Sequence, residues 1–232
     1  MFCHKCGSNV EPNAQFCPGC GQTMGAAPPP PQVNVPQPYT APATASVQTG
    51  KWIGEGWELV KSDLVMFAVS ALLFAVVGGA VPVILQGAMM VGFNLLVIKK
   101  LATGRLDIGD LFKGFNFFVP SLVAHILVSI FTALGMLLCI IPGLVIAAMY
   151  MFTFLFILDK KMDFWPAMQA SAEIVKKDYM GFTLFIVALG LLQLLGVLAC
   201  IIGIFVTLPI MYAAIVCAYR DLVGFEPSTQ NL

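Results

Sequence analysis

Four cysteines near the N-terminus carry the clearest chemistry in this 232-residue chain. They fall as Cys3-His4-Lys5-Cys6-Gly7 and Cys17-Pro18-Gly19-Cys20-Gly21, two C-x-x-C-G knuckles separated by ten residues. A tetrahedral Zn²⁺ accepts four thiolates, and each C-x-x-C turn presents two of them to one ion. The glycine after each pair permits the tight backbone turn. Cys3, Cys6, Cys17 and Cys20 are therefore the expected metal ligands, with Zn²⁺ as the cofactor. A pair of disulfides is one rival, disfavoured in a reducing cytosol. A four-thiolate iron site is another, disfavoured by the short chain between the knuckles. His4 is not needed as a ligand, because four cysteines already close the tetrahedron. A closed site leaves no position for a reactive water, so its expected role is structural and not catalytic.

About twenty residues cannot bury a core large enough to fold alone, so metal binding is the expected source of stability for residues 1–24. The two knuckles make this segment similar to the short zinc-ribbon heads of many bacterial membrane proteins. Lys5 is its single base and Glu11 its single acid. That is too little charge for nucleic acid, so a protein contact is the expected function. The plainer reading is a ribbon that only caps the N-terminus. Residues 25–50 follow as a linker with Pro28 to Pro31, Pro36, Pro38 and Pro42 and no charge up to Gly50. Such a stretch cannot bury enough surface to order itself, and its proline runs favour extended polyproline II. The chain opens with Met1-Phe2-Cys3, without the charged-then-apolar stretch of a signal peptide.

The remainder is built for lipid. The chain is 59% hydrophobic and 10% charged, with a mean hydropathy of +0.90. Soluble domains carry about 25% charge. The formal net charge of zero also argues against a nucleic-acid partner. Three apolar blocks, Leu64 to Ile98, Ser121 to Leu158 and Phe182 to Tyr219, are each too long for one crossing. The second would make a helix of about 57 Å against a hydrocarbon core of about 30 Å. Each is interrupted near its middle: at Gly78-Gly79-Ala80-Val81-Pro82, at Pro142-Gly143, and at Gly203 with Pro209 beyond. Pro142-Gly143 suits a type II turn. The expected architecture over 51–224 is an all-α integral membrane domain of six transmembrane helices in three repeated hairpins. The first block is the tightest fit, so its helices are expected to be short or partly re-entrant. Residues 225–232 are a C-terminal tail.

The repeats are legible. Leu134-Gly135-Met136-Leu137-Leu138-Cys139-Ile140-Ile141 returns as Leu195-Gly196-Val197-Leu198-Ala199-Cys200-Ile201-Ile202. Glu58-Leu59-Val60-Lys61-Ser62-Asp63 returns as Glu173-Ile174-Val175-Lys176-Lys177-Asp178. Lys61, Lys99, Lys100, Arg105, Lys113, Lys160, Lys161, Lys176, Lys177 and Arg220 all lie on the connections between blocks, and the turns within blocks carry no charge. Positive loops stay cytoplasmic, which places both termini and the zinc head in the cytosol. The lead-ins around Trp52 and Trp57, and around Phe164-Trp165-Pro166, read as amphipathic interfacial helices with tryptophan anchors.

Polar residues within the blocks are few. His125 is the one ionisable group among them; Gln86, Asn94 and Gln193 are expected to hydrogen-bond between helices. Ala88-x-x-x-Gly92 and Gly143-x-x-x-Ala147 are small-residue pairs that permit close helix packing. Cys139, Cys200 and Cys217 read as small apolar packing residues, and the acids of the connections as solvated loop faces. There is no G-x-S-x-G, glycine-rich phosphate loop or H-E-x-x-H. From Trp52 to Gly224 the chain resembles an uncharacterised bacterial family of six-helix membrane proteins, itself similar to the membrane domain fused to some glycerophosphodiester phosphodiesterases. Ile141-Pro142-Gly143, Phe156-Ile157-Leu158-Asp159, Ala170-Ser171, Val175-Lys176 and Tyr219-Arg220-Asp221 carry the resemblance. It supports the fold; the catalytic domain is not part of this chain, so that activity is not carried over.

The expectation is a non-enzymatic bacterial inner-membrane protein, multi-pass, embedded in the lipid bilayer. Its cytosolic zinc ribbon contacts a protein partner as an adaptor, assembly or regulatory module, and the chain can self-associate as a homo-oligomer. The alternative is a transporter or lipid-handling protein built on the repeated hairpins.

Overall fold

The structure is a computed structural model and describes residues 3, 6–9, 16–21, 46–199 and 203–230. Most of the expected proline-rich linker, and Cys200 in the second repeat, lie outside these residues. The chain divides into two compact units, Met1–Pro38 and Tyr39–Leu232.

The second unit is helical among its described residues. Its elements are α1 (Thr49–Ser62), α2 (Leu64–Ala80), α3 (Pro82–Thr103), α4 (Asp110–Lys113), α5 (Phe118–Leu138), α6 (Ile140–Met149), α7 (Thr153–Asp159), α8 (Phe164–Val175), α9 (Tyr179–Leu198), α10 (Ile204–Leu222) and α11 (Pro227–Gln230). A 3-10 turn over Gly114–Phe117 joins α4 to α5. Thr49 and Gly50, within the expected linker, already form the first turn of α1.

Five stretches are long and apolar enough to cross a membrane: Pro82–Thr103, Asp110–Leu138, Ile140–Asp159, Tyr179–Leu198 and Ile204–Leu222. A sixth is counted only if α1 and α2, bent by 100° at Asp63, form one broken span. The 17 residues of α2 reach about 26 Å, just short of the hydrocarbon core. Large apolar side chains remain exposed on this unit, with Leu137 and Leu138 each 84% accessible at the end of α5. Such a surface is stable only when lipid or protein covers it. Together these features make the chain a membrane protein.

The second block turns three residues before Pro142-Gly143. Cys139 is extended (φ −170°, ψ 151°), and Ile140 begins α6. Pro142 is the third residue of that helix, where a backbone N–H has no intrahelical partner and proline costs nothing. Pro82 opens α3 for the same reason. In the third block α10 runs through Pro209, and the break lies between Leu198 and Ile204. Asp63 and Asp178 share an N-cap position and similar dihedrals (φ −141° and −148°). Gly135 approaches Gly143, and Gly196 approaches Gly203, so closely that a Cβ at Gly135 would lie 2.9 Å from Gly143 Cα and one at Gly203 would lie 3.0 Å from Gly196 Cα.

The two amphipathic lead-ins differ from a simple interfacial reading. Trp52 is fully buried, packed on Phe182 and Phe185, and its indole N–H donates to Asp221 Oδ2 at 3.0 Å. It is a core residue of the α1–α10 contact and not a headgroup anchor; Trp57 and Trp165 are the exposed ones. Gly56 permits this contact, because a Cβ there would lie 3.0 Å from Ala214 N and 3.1 Å from Ile210 O. Charges staple the same pair: Arg220 Nη2 meets Glu55 Oε2 at 2.6 Å, and Lys51 Nζ meets Asp221 Oδ2 at 2.7 Å. The Ala88-x-x-x-Gly92 face does what its small residues permit, since Gly114 seats against Ala88 and Gly92, and Leu111 against Gly92.

Two connection acids are not solvated. Asp110 is buried between Lys99 and Lys113, each at 2.8 Å. Asp159 is buried at the end of α7, where Oδ2 accepts from Tyr219 Oη at 3.1 Å and Oδ1 from the Glu226 backbone N–H at 2.9 Å. Thr229 Oγ1 donates to Asp159 O at 3.3 Å, and Lys160 meets Glu226 at 2.8 Å. These bonds dock the expected tail. Ser171 repairs the break between α6 and α7: its hydroxyl donates to Met149 O at 2.7 Å and accepts from the Phe152 N–H at 3.1 Å.

Candidate metal centre

In the first unit, the two knuckles adopt the same turn. Gly7 donates its N–H to Cys3 O and Gly21 donates to Cys17 O, each at 2.9 Å. Both glycines have positive φ, +74° and +66°. An L side chain there is strained, so glycine is the residue that lets each pair of thiols converge. Asn9 and Phe16 adopt isolated β-bridge geometry between the knuckles.

The four Sγ atoms lie within 4.8 Å of one another. Cys3 Sγ is 3.7 Å from Cys20 Sγ, and Cys6 Sγ is 3.5 Å from Cys17 Sγ. A tetrahedron with Zn–S bonds of about 2.3 Å has edges of about 3.8 Å, so the donor set fits the ion. The same separations exceed the ~2.05 Å of a disulfide bond. The centre is thus a four-cysteine zinc site. Cys3 and Cys17 are buried, and Cys6 and Cys20 face outward. The Ser8 hydroxyl, 2.9 Å from Cys6 Sγ, and the Ser8 backbone draw the Cys6 thiol down to about 6, so it favours the thiolate that binds metal. The C-x-x-C-G pattern does not point to Ser8; its place directly after Gly7 is the available signal. Phe16, beside Cys17, is 58% exposed.

The polar residues of the helical unit do not gather into a second metal cluster among the described residues. Gln193 bonds across helices as expected: Oε1 accepts from Thr207 Oγ1 at 2.6 Å, and Nε2 contacts Met211 Sδ at 3.5 Å. Gln86 lies against Gly78. Among the described residues Asn94 does not bond across helices; its Nδ2 donates to Met90 O of its own helix at 3.0 Å. His125 is half-buried, its ring 6.5 Å from that of Phe154. Cys217 is buried, whereas Cys139 is exposed at the α5–α6 break.

Residues 2–24 match the family model of the zinc-ribbon domain. The chain is also similar to uncharacterized proteins of Mycobacterium bovis and of two strains of Mycobacterium tuberculosis, each 32% identical over 131 residues. That match covers 53% of this chain and 40% of each relative's length. No solved structure matches.

Proposed function

We propose that this is a non-enzymatic bacterial inner-membrane protein whose cytosolic zinc ribbon binds a protein partner, with the helical unit as its membrane anchor. The observation that carries this reading is a metal centre with four thiolate donors and an exposed aromatic, Phe16, at its edge. Four cysteine ligands leave no open coordination position, so the ion's task is to hold a surface. Exposed aromatics are favoured anchors of protein interfaces. The basic connections, from Lys61 to Arg220, support placing the ribbon on the cytoplasmic side.

The test is in-cell crosslinking of the full chain followed by mass spectrometry. Wild type is compared with a variant in which all four cysteines are serine, and with Phe16→Ala, which leaves the ligands intact. Partners lost in both variants support the adaptor reading; the same partner list in all three refutes it. A second reading, a lipid-handling or transport bundle, is favoured by the broken span at 150–152 and the cavity beside it.

A further inference from the structure

The four thiols of the metal centre are not equivalent. Cys3 and Cys17 are buried, whereas Cys6 faces outward with Cys20. Beside Cys6 Sγ, at 2.9 Å, stands the Ser8 hydroxyl. The equivalent position after the second knuckle is Gln22, so a hydroxyl two residues past the pair belongs to the first knuckle alone. A Cβ at Gly19 would collide with Ser8 Oγ, and glycine there leaves the hydroxyl its place beside Cys6. Across the centre, Cys17 Sγ of the opposite knuckle is 3.5 Å from Cys6 Sγ.

Oxidation selects a thiolate that solvent reaches and that has a resolving cysteine next to it. With Cys6 as the thiolate, the serine hydroxyl is the donor, and hydrogen bonds to an ionised group are the stronger kind. That bond counts most when the sulfur is not shared with a cation. Cys6 is thus the ligand whose detachment from zinc Ser8 makes less costly. Cys17, shielded from solvent, meets an oxidant only through Cys6.

We propose that Cys6 is a peroxide-modification site, and that Cys17 converts its oxidised form into a cross-knuckle disulfide that releases the metal. In the first step the Cys6 thiolate attacks one oxygen of hydrogen peroxide. An S–O bond forms, the O–O bond breaks, and hydroxide leaves. In the second step the Cys17 thiolate attacks the sulfur of the Cys6 sulfenic acid. An S–S bond forms, the S–O bond breaks, and a second hydroxide leaves. Each sulfur gives up one electron, and the peroxide takes up both. Cys3 and Cys20 remain, and two thiolates do not complete the four-coordinate shell of a structural zinc site. Loss of the metal removes the free energy that folds a domain this small. The inference concerns the metal centre and holds whether or not the ribbon has a partner.

The test treats the full-length zinc-loaded protein in detergent micelles with hydrogen peroxide and reads released zinc with 4-(2-pyridylazo)resorcinol. Remaining thiols are blocked with N-ethylmaleimide. Trypsin and Glu-C then cut after Lys5 and Glu11, which separates Cys3, Cys6 and the Cys17–Cys20 segment into different peptides. Fragmentation at Cys17-Pro18 in the mass spectrometer tells Cys17 from Cys20. Zinc release is expected in step with a Cys6–Cys17 disulfide, and dimedone added with the peroxide should label Cys6 first. Dithiothreitol with added zinc should restore the centre. Ser8→Ala, which keeps all four ligands, should slow release about two- to tenfold. Where Ser8→Ala does not retain zinc, the wild-type peptide map decides. Zinc retained under excess peroxide, a first disulfide within one knuckle, dimedone on Cys20 ahead of Cys6, or an unchanged rate in zinc-loaded Ser8→Ala overturns the assignment.

Discussion

Replacing Asp159 tests whether the end of α7 is an organising point of the helical unit. Its carboxylate is buried and accepts from the Tyr219 hydroxyl at 3.1 Å and the Glu226 N–H at 2.9 Å. Hydrogen bonds to charged groups contribute about 1.5–3 kcal/mol each. Asp159→Ala removes both and leaves a void beside Lys160, which stands 3.6 Å away. The expected loss is about 3–5 kcal/mol, the range for breaking a buried charged contact. Tyr219→Phe removes one of the two bonds and should cost about 1.5–3 kcal/mol. The double variant should then cost less than the sum, with a coupling of about 1–2 kcal/mol. Reversible unfolding in mixed micelles, followed by circular dichroism, measures all three. An Asp159→Ala loss below about 0.5 kcal/mol, the range of an ordinary surface substitution, would refute the reasoning. So would strict additivity with Tyr219→Phe.

Other outcomes follow from single contacts. Cys17→Ser should abolish stoichiometric zinc, measured by metal analysis of purified protein, while the helical circular dichroism persists, because the helices belong to the other unit. Gly7→Ala forces a side chain onto φ +74° and should weaken zinc binding about five- to thirtyfold in chelator competition, from a strain of about 1–2 kcal/mol. Gly56→Leu drives a side chain into the Ala214 and Ile210 backbone of α10 and should destabilise by at least the 1–3 kcal/mol of ordinary overpacking, read in the same micelle assay. The Lys160 ammonium holds the Glu226 carboxyl below its ordinary value of 4.5. A lowered folded-state value means this contact is complete above about pH 4.5 and is lost as pH falls through the lowered value. The protection factor of the Thr229 amide, its exchange rate corrected for the intrinsic pH dependence, should fall over that acidic window in wild type and stay flat in Glu226→Gln.

The metal centre was legible because its information is local. Two C-x-x-C-G knuckles specify four donors and two left-handed turns within a few bonds of one another, and the structure brings Cys3, Cys6, Cys17 and Cys20 together as the spacing requires. The apolar blocks were legible because lipid imposes length and hydrophobicity on any helix that enters it. Small-residue faces such as Ala88-x-x-x-Gly92 were legible for the same reason of scale, since they set how near a neighbour can come.

Tertiary structure alone decided what those residues meet. Pro142-Gly143 reads as a turn, yet the proline sits equally well in the first turn of a helix, and the backbone placed the break at Cys139 instead. Trp52 reads as a headgroup anchor until α10 covers it and Asp221 accepts its N–H. Asp159 looks like a loop acid because its partners Tyr219 and Glu226 are remote in sequence, and Asp110 because the adjacent Lys113 shows nothing of Lys99, which α3 brings from eleven residues back. Asn94 reads as a bridge between helices, yet its Nδ2 donates to Met90 O of its own helix and its oxygen is buried without a donor among the described residues. Short-range chemistry can be written in consecutive residues; burial and pairing across a bundle are fixed only when the helices pack.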